Sequence, residues 1–468
     1  MKQASQIISQ ALKKPSTTPQ SRDNKHFTII DKTYHNNVNS DYTEKMWELA
    51  KNFDYASNSN YYWANPELSL LYGTPLYEVA SESQKLALNH LFWTANYHYI
   101  AVSEASTRMY NMVTAGVFEN LGGYEQLCRE LELETDQESY HIRSFQKISY
   151  NTKTALLGKA TSRKPLSSKA ERGLFGQLIP KPLQQIFDFS NGETKSDYQD
   201  YLMAAIAKGM LGDKKQYYSQ YLRELEEKKQ PIAAASEGIL GQIAPRNWLR
   251  FFTLNWGISP FMACQYYTIR YTANAYLKSW EHSYFKYFQE LNKNNEFVPT
   301  PTAISYYHLL DESFHTTISQ TIAKDMYKEL PKPTAYEKFL SGKMIYMMQK
   351  NMLGGISGVL PGRCVADDPL FMFFIYKLLK SSLFEMFDSD ALHWMEKCFC
   401  QEHDGFHVGL RYRNRFLEVE RKFFGSLDYQ WNVNRDMRVM AAGGSIDRAV
   451  KNNVKVLEKF SRSMSDSE

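Results

Sequence analysis

The sequence predicts an all-α fold, a four-helix bundle with additional helices. Three observations carry that prediction. Residues 83–118 contain no proline and repeat apolar side chains at helical spacing, among them Leu86, His90, Trp93, Tyr97, Ile100 and Met112. Residues 260–291 show a second such stripe, with Tyr266, Tyr267, Tyr271, Tyr276, Trp280, Tyr284 and Phe288. The pattern Glu-x-x-His occurs twice, as Glu138–His141 and Glu312–His315, each time just after a loop rich in helix-stopping residues.

Taken in order, residues 1–40 are polar and rich in Ser, Thr, Asn and Lys, and read as a loosely ordered arm. Residues 43–53 read as a short helix, and 58–75, with Tyr61, Trp63, Pro66 and Gly73, as an aromatic loop. The first bundle helix ends at the glycine-rich stop Glu119–Gly123, and a second helical stretch spans Leu131–Phe145. Residues 151–250 read as a helical insertion. It holds a basic connector (Lys159, Arg163, Lys164, Lys169, Arg172) and helices near 195–211 and 213–229. The connector is a solvated surface loop or, on a sharper reading, a docking site for an acidic electron donor or carrier protein. The third helix, the loop 292–301 and the fourth helix complete the bundle, giving a domain over 41–330. Residues 331–468 read as a helical C-terminal extension with a loop at Gly354–Gly362 and a frayed tail from Ser461.

The chemistry lies in the two Glu-x-x-His segments. His308, Glu312 and His315 stand at offsets 0, 4 and 7, so at about 100° per residue they share one helix face within roughly 40°. Carboxylates and imidazoles are costly to bury unpartnered, and a transition metal is one such partner. A lone Glu-x-x-His recurs by chance. Two of them, each preceded by a helix with one inward Glu, make the ligand set of ferritin-like di-iron bundles. Hairpin symmetry locates the single glutamates. Glu104 and Glu138 each lie 17 residues from position 121, and Glu281 and Glu312 lie about 15 from the second loop centre. Glu119, Glu125, Glu290 and Glu296 fall in or beside loops instead.

Glu104, Glu138, His141, Glu281, His308, Glu312 and His315 resemble the seven ligands of the p-aminobenzoate N-oxygenase family. The specific mark is His308, a third histidine one turn before the last Glu; Trp93 and Phe145 also fit. The resemblance covers roughly 83–150 and 258–330. It implies two irons and O2 as co-substrate. Glu104, Glu138 and His141 would hold one iron and Glu281, His308, Glu312 and His315 the other, with Glu138 and Glu312 bridging. It further implies N-oxygenation of an amine, arylamine-like, through a peroxo state that His308 prolongs. Asp311 or Glu134 would orient the imidazoles. Di-iron bundles also hydroxylate or desaturate C–H bonds, and a non-enzymatic ferritin-like iron-binding protein is the remaining alternative.

A net charge of +4 argues against a nucleic-acid partner, and no 18-residue apolar run spans a membrane. The N-terminus lacks an apolar signal core, and five scattered cysteines fit reduced thiols, so a cytoplasmic location is expected. The expected partners are a small-molecule substrate, free or carrier-bound, and an external electron donor (ferredoxin or a reductase); a homodimer stays open. Cys398, Cys400, His403 and His407 form a second cluster, but Cys-x-Cys misses the usual zinc spacing, so a structural role without metal is expected.

Overall fold

The computed structural model describes residues 24–158, 219–230, 237–238, 241–242, 246–362 and 368–465. Its principal helices are α1 (Lys25–Val38), α2 (Tyr42–Lys51), α3 (Glu82–Leu121), α4 (Glu125–Leu157), α5 (Pro260–Lys293), α6 (Thr300–Lys324), α7 (Ala335–Leu353), α8 (Asp388–Phe399), α9 (Asp404–Phe424) and α10 (Ile446–Ser465). The extended pairing among the described residues is a two-residue hairpin, Glu237–Gly238 against Gly241–Gln242. The fold is all-α.

Local chemistry sets the ends of the bundle helices. Ser81 and Gln84 form a capping box at the start of α3, each side chain meeting the other's backbone N–H. Gly122 and Gly123 follow α3 with φ of 76° and 84°, a region that favours glycine, so the chain can reverse at once into α4. Ser259 caps α5 through the Met262 N–H, with Pro260 at the first helical position. α3 and α4 form one hairpin and α5 and α6 the other, and α5 packs across α3.

Both flanks of the chain serve the bundle. α1 and α2 lie over α4 and α6, so the N-terminal region from Lys25 is helix and departs from the loosely ordered arm expected of residues 1–40. Few apolar residues mark α1, yet Ile30 and Asn37 are buried, because its packing surface includes polar side chains that meet α4. α7 and α9 cover α5, with Tyr271 stacked on Phe423 at 3.7 Å between ring centroids. α10 continues to Ser465, so the tail is helical further than expected. The basic connector from Lys159 and the expected helix near 195–211 lie outside the described residues; a helix at Gln220–Glu227 matches part of the second expected insertion helix. No helix among the described residues is long and apolar enough to cross a membrane.

Candidate metal centre

α4 aligns Glu130, Glu134, Glu138 and His141 on one stripe at spacings of four, four and three, and all are buried. α3 contributes Glu104, α5 Glu281 and Arg270, and α6 His308, Asp311, Glu312 and His315, again all buried. Seven carboxyl groups (Glu104, Glu130, Glu134, Glu138, Glu281, Asp311, Glu312) therefore meet one guanidinium in the bundle interior. An isolated buried carboxylate costs several kcal/mol, so such a cluster needs cations or protons to persist.

Two groups of donor atoms are close enough to share an ion: Glu104, His141, His308 and Glu312, and Glu138, Glu312 and His315, within 4.8 Å of one another. Nδ1 of His141 has no hydrogen-bond partner and is ringed by Glu138 Oε2 at 3.5 Å, Glu104 Oε1 at 3.8 Å and Glu312 Oε1 at 4.0 Å. Ligand atoms about 2.1 Å from a common ion stand roughly 3–3.5 Å apart, close to this spacing. Oε2 of Glu104, Glu138 and Glu281 also lack hydrogen-bond partners. Buried, partnerless donors of this kind fit a metal.

The geometry divides the ligands differently from the sequence-based expectation. His308 stands four residues before Glu312 and His315 three after it, so the two rings reach opposite sides of that carboxylate. Nε2 of His308 lies 3.1 Å from Glu104, and Nδ1 of His315 lies 2.7 Å from Glu312. Glu312 thus belongs to both donor groups. Glu281 stands behind His308: its Oε1 is 2.7 Å from His308 Nδ1 and accepts a 2.5 Å hydrogen bond from the Tyr97 hydroxyl. It is in neither donor group.

Outer partners fix the rings. His141 Nε2 faces Asp311 Oδ2 at 2.9 Å, leaving Nδ1 for the centre. Asp311 also accepts from Thr43 of α2 at 3.1 Å and from Gln137 at 3.3 Å. Gln137 Oε1 takes the Nε2 side of His315 at 3.2 Å, and Gln137 donates to Asn37 of α1 at 2.7 Å. The N-terminal helices therefore hold two of the three imidazoles in place. Arg270 pairs with Glu134 and, at 3.2 Å, with Glu138.

Metal-free, the cluster shares protons. Burial would depress His141, but Asp311 and Glu138 raise it to about 9, and Glu312 and Glu134 likewise raise His315 to about 10. Burial, with Glu138 alongside, pushes Glu104 up to about 7. Burial also opposes ionisation of Glu312, yet His315 and His308 hold it well below the usual carboxylate range. Bound cations would replace these protons.

A cavity of about 210 Å³ reaches Glu104, Glu138 and Glu312. Its walls are mostly apolar, from Ile100, Tyr110, Ile269, Leu277, Met348 and Met352, with Arg270 beside the carboxylates. The two methionines come from α7, so the C-terminal extension supplies part of the cavity wall.

Asn37, Thr43, Gln137 and Arg270 are not singled out as site residues by the sequence, and Tyr97 stands there only as one residue of the helical stripe. Arg270 carried a signal, as the one basic residue inside the aromatic run Tyr266–Tyr276. Elsewhere, Nε2 of His403 meets the Cys398 carbonyl at 2.7 Å and its Nδ1 accepts the Gly405 N–H at the start of α9, while exposed His407 pairs with Glu402.

The model of the CylC-like family, described as acyl halogenases, matches residues 25–461. No curated protein and no solved structure matches the chain. The match corrects the resemblance to the p-aminobenzoate N-oxygenases. That resemblance rested on ligands in two short segments, and one ligand set serves many chemistries; the family model spans nearly the whole chain, including the N-terminal helices and the C-terminal extension. It also implies an enzyme with oxidative chemistry. The chain belongs to the CylC-like acyl halogenase family.

Proposed function

We propose that this chain is a two-iron, O2-dependent enzyme that replaces hydrogen by halogen on an acyl chain. The observation that carries the reading is the apolar cavity that opens onto Glu104, Glu138 and Glu312. It offers an aliphatic chain a dry wall and brings its carbon to the carboxylate side of the centre. At about 30 Å³ per water, its volume equals roughly seven waters, room for a short run of methylenes.

Glu104, His141 and His308 would hold one iron and Glu138 and His315 the other, with Glu312 between them. Bound iron would supply O2 activation. Glu281 holds the His308 ring, and Asp311 and Gln137 hold those of His141 and His315. Arg270 balances Glu134 and Glu138, and the methionines of α7 would give the acyl chain an apolar contact. The overall reaction consumes the C–H compound, a halide ion, O2, two electrons and three protons, and releases the C–halogen compound and two waters. The two electrons require an external donor.

The test is reconstitution. Protein loaded anaerobically with Fe2+ is mixed with a medium-chain acyl thioester, chloride, a reductant and O2. The expected outcome is about two irons per chain and a product with the isotope doublet of chlorine. A product gaining oxygen in place of chlorine would make the enzyme a hydroxylase, and oxidation of an amine with the acyl chain untouched would overturn the reading.

A further inference from the structure

We infer that Tyr97, Trp93, Trp63 and Tyr55 form a redox relay that carries single oxidising equivalents from the metal centre to the protein surface, with His90 taking the phenolic proton of Tyr55 at the surface end. The inference rests on the two-iron reading only for its oxidant.

The four rings form an unbroken line. Tyr97 is fully buried 6.0 Å from the His308 ring and stacks on Trp93 at 4.3 Å. Trp93 meets Trp63 edge-on at 5.9 Å, and Trp63 meets Tyr55 edge-on at 6.2 Å. Both tryptophans have no solvent exposure, whereas Tyr55 is partly exposed and the neighbouring Tyr61 is 45% exposed. A second branch from Tyr97, through Trp280 and Tyr284, stays in the core.

The line ends at each side on a phenol held by a hydrogen bond. Tyr97 donates to Glu281 Oε1 at 2.5 Å. Tyr55 meets His90 Nδ1 at 3.0 Å, and His90 Nε2 lies 2.8 Å from the Tyr61 carbonyl. A carbonyl only accepts, so Nε2 carries the proton and Nδ1 is free to accept the Tyr55 proton. Burial holds His90 down at about 4, which keeps the ring neutral near pH 7. The two indoles between them donate to Ser305 Oγ and to the Asn58 carbonyl, which take no proton.

The step balances as follows. Tyr97 would give one electron to the oxidised centre, its phenolic proton staying within the hydrogen bond to Glu281. Trp93 supplies an electron to Tyr97, which restores the neutral phenol within that hydrogen bond. Trp63 refills Trp93. Tyr55 refills Trp63 and passes its proton to His90. A one-electron reductant such as ascorbate then refills Tyr55, and His90 returns the proton. The relay discharges the centre when no acyl chain is bound, so its oxidising power is not spent on the ligands.

Two experiments test this. In metal-free protein, a ruthenium photooxidant is tethered at Tyr61→Cys in a Tyr55→Phe, Cys364→Ser, Cys400→Ser background, so that Tyr97 is the one phenol left in the line. After a flash, electron paramagnetic resonance should show a tyrosyl radical that is lost in Tyr97→Phe and in Trp93→Phe, both checked for folding by circular dichroism. An equal radical yield in all three would overturn the relay. In iron-loaded protein exposed to O2 without acyl substrate, peptide mapping should find added oxygen at Trp63 and Tyr55, moving to Tyr97 in Trp93→Phe. An unchanged map with iron bound and oxidised counts against the relay. A radical in the first experiment without iron uptake in the second sustains the relay and overturns the two-iron reading.

Discussion

Asp311→Asn tests how the N-terminal helices support the centre. The substitution keeps the shape of the side chain and removes its charge. In the native protein Oδ2 faces His141 Nε2 at 2.9 Å and accepts from Thr43, while Oδ1 accepts from Gln137. Burial opposes ionisation of Asp311, but His141 and His315 hold its carboxyl below the usual range, so it faces His141 as an anion. An amide has one accepting oxygen for these donors, and its NH2 must point at His141 or at Gln137. Turned to His141, it meets an N–H with an N–H, leaving the ring unanchored or reversed. Loss of a partner of this kind typically weakens metal binding 10- to 100-fold, or about 1.4–2.8 kcal/mol. The assay is anaerobic competition for Fe2+ against a coloured chelator, with iron content per chain measured in parallel. Expected is a drop of that size in one of the two sites, with the second still filled. Affinity equal to the native protein would refute the reasoning, and so would a loss as complete as in His141→Ala, since an orienting residue should cost less than a ligand.

Three further outcomes are expected. Arg270→Met leaves Glu134 and Glu138 buried without their cation and should destabilise the metal-free protein by about 3–5 kcal/mol; Glu134→Gln in the same chain should restore part of it, and unfolding by denaturant that shows no loss in the single variant would sink the assignment. Each methylene that enters the cavity contributes about 0.8 kcal/mol, so KM should fall about fourfold per added carbon until the cavity is full, and Ala273→Phe, on its wall, should end that series at a shorter chain. His90, held down at about 4 against an ordinary 6.5, is neutral in the fold, so its stabilisation is complete above pH 6.5 and lost as pH falls to 4, about 3 kcal/mol in all; a native protein no more acid-sensitive than His90→Gln over that window would exclude this.

The bundle helices α3 and α5 and the residues on their inward stripes were legible in the sequence. Helical periodicity is local, so α3 and α5 follow within a few residues of their expected bounds, and the turn at Gly122 and Gly123 follows from backbone freedom. In the first hairpin, residues equidistant from the turn share a height, and Glu104 and Glu138 both approach His141 Nδ1; in the second, Glu281 stands behind His308. What the sequence could not supply was anything set by contact between segments remote in the chain. Asn37 and Thr43 reach the centre across about a hundred and nearly three hundred residues, Asn37 from a segment whose polarity suggests a loose arm and Thr43 from a short helix that carries no sign of its target. The same holds for Glu281, which periodicity places inward but only packing turns toward His308 Nδ1 and Tyr97. Substrate class was illegible in the ligands because a carboxylate–histidine set fixes the metal and not the carbon it acts on. The cavity wall is likewise a product of packing: α7 brings Met348 and Met352 beside side chains of α3 and α5, and no local pattern encodes which helices meet there.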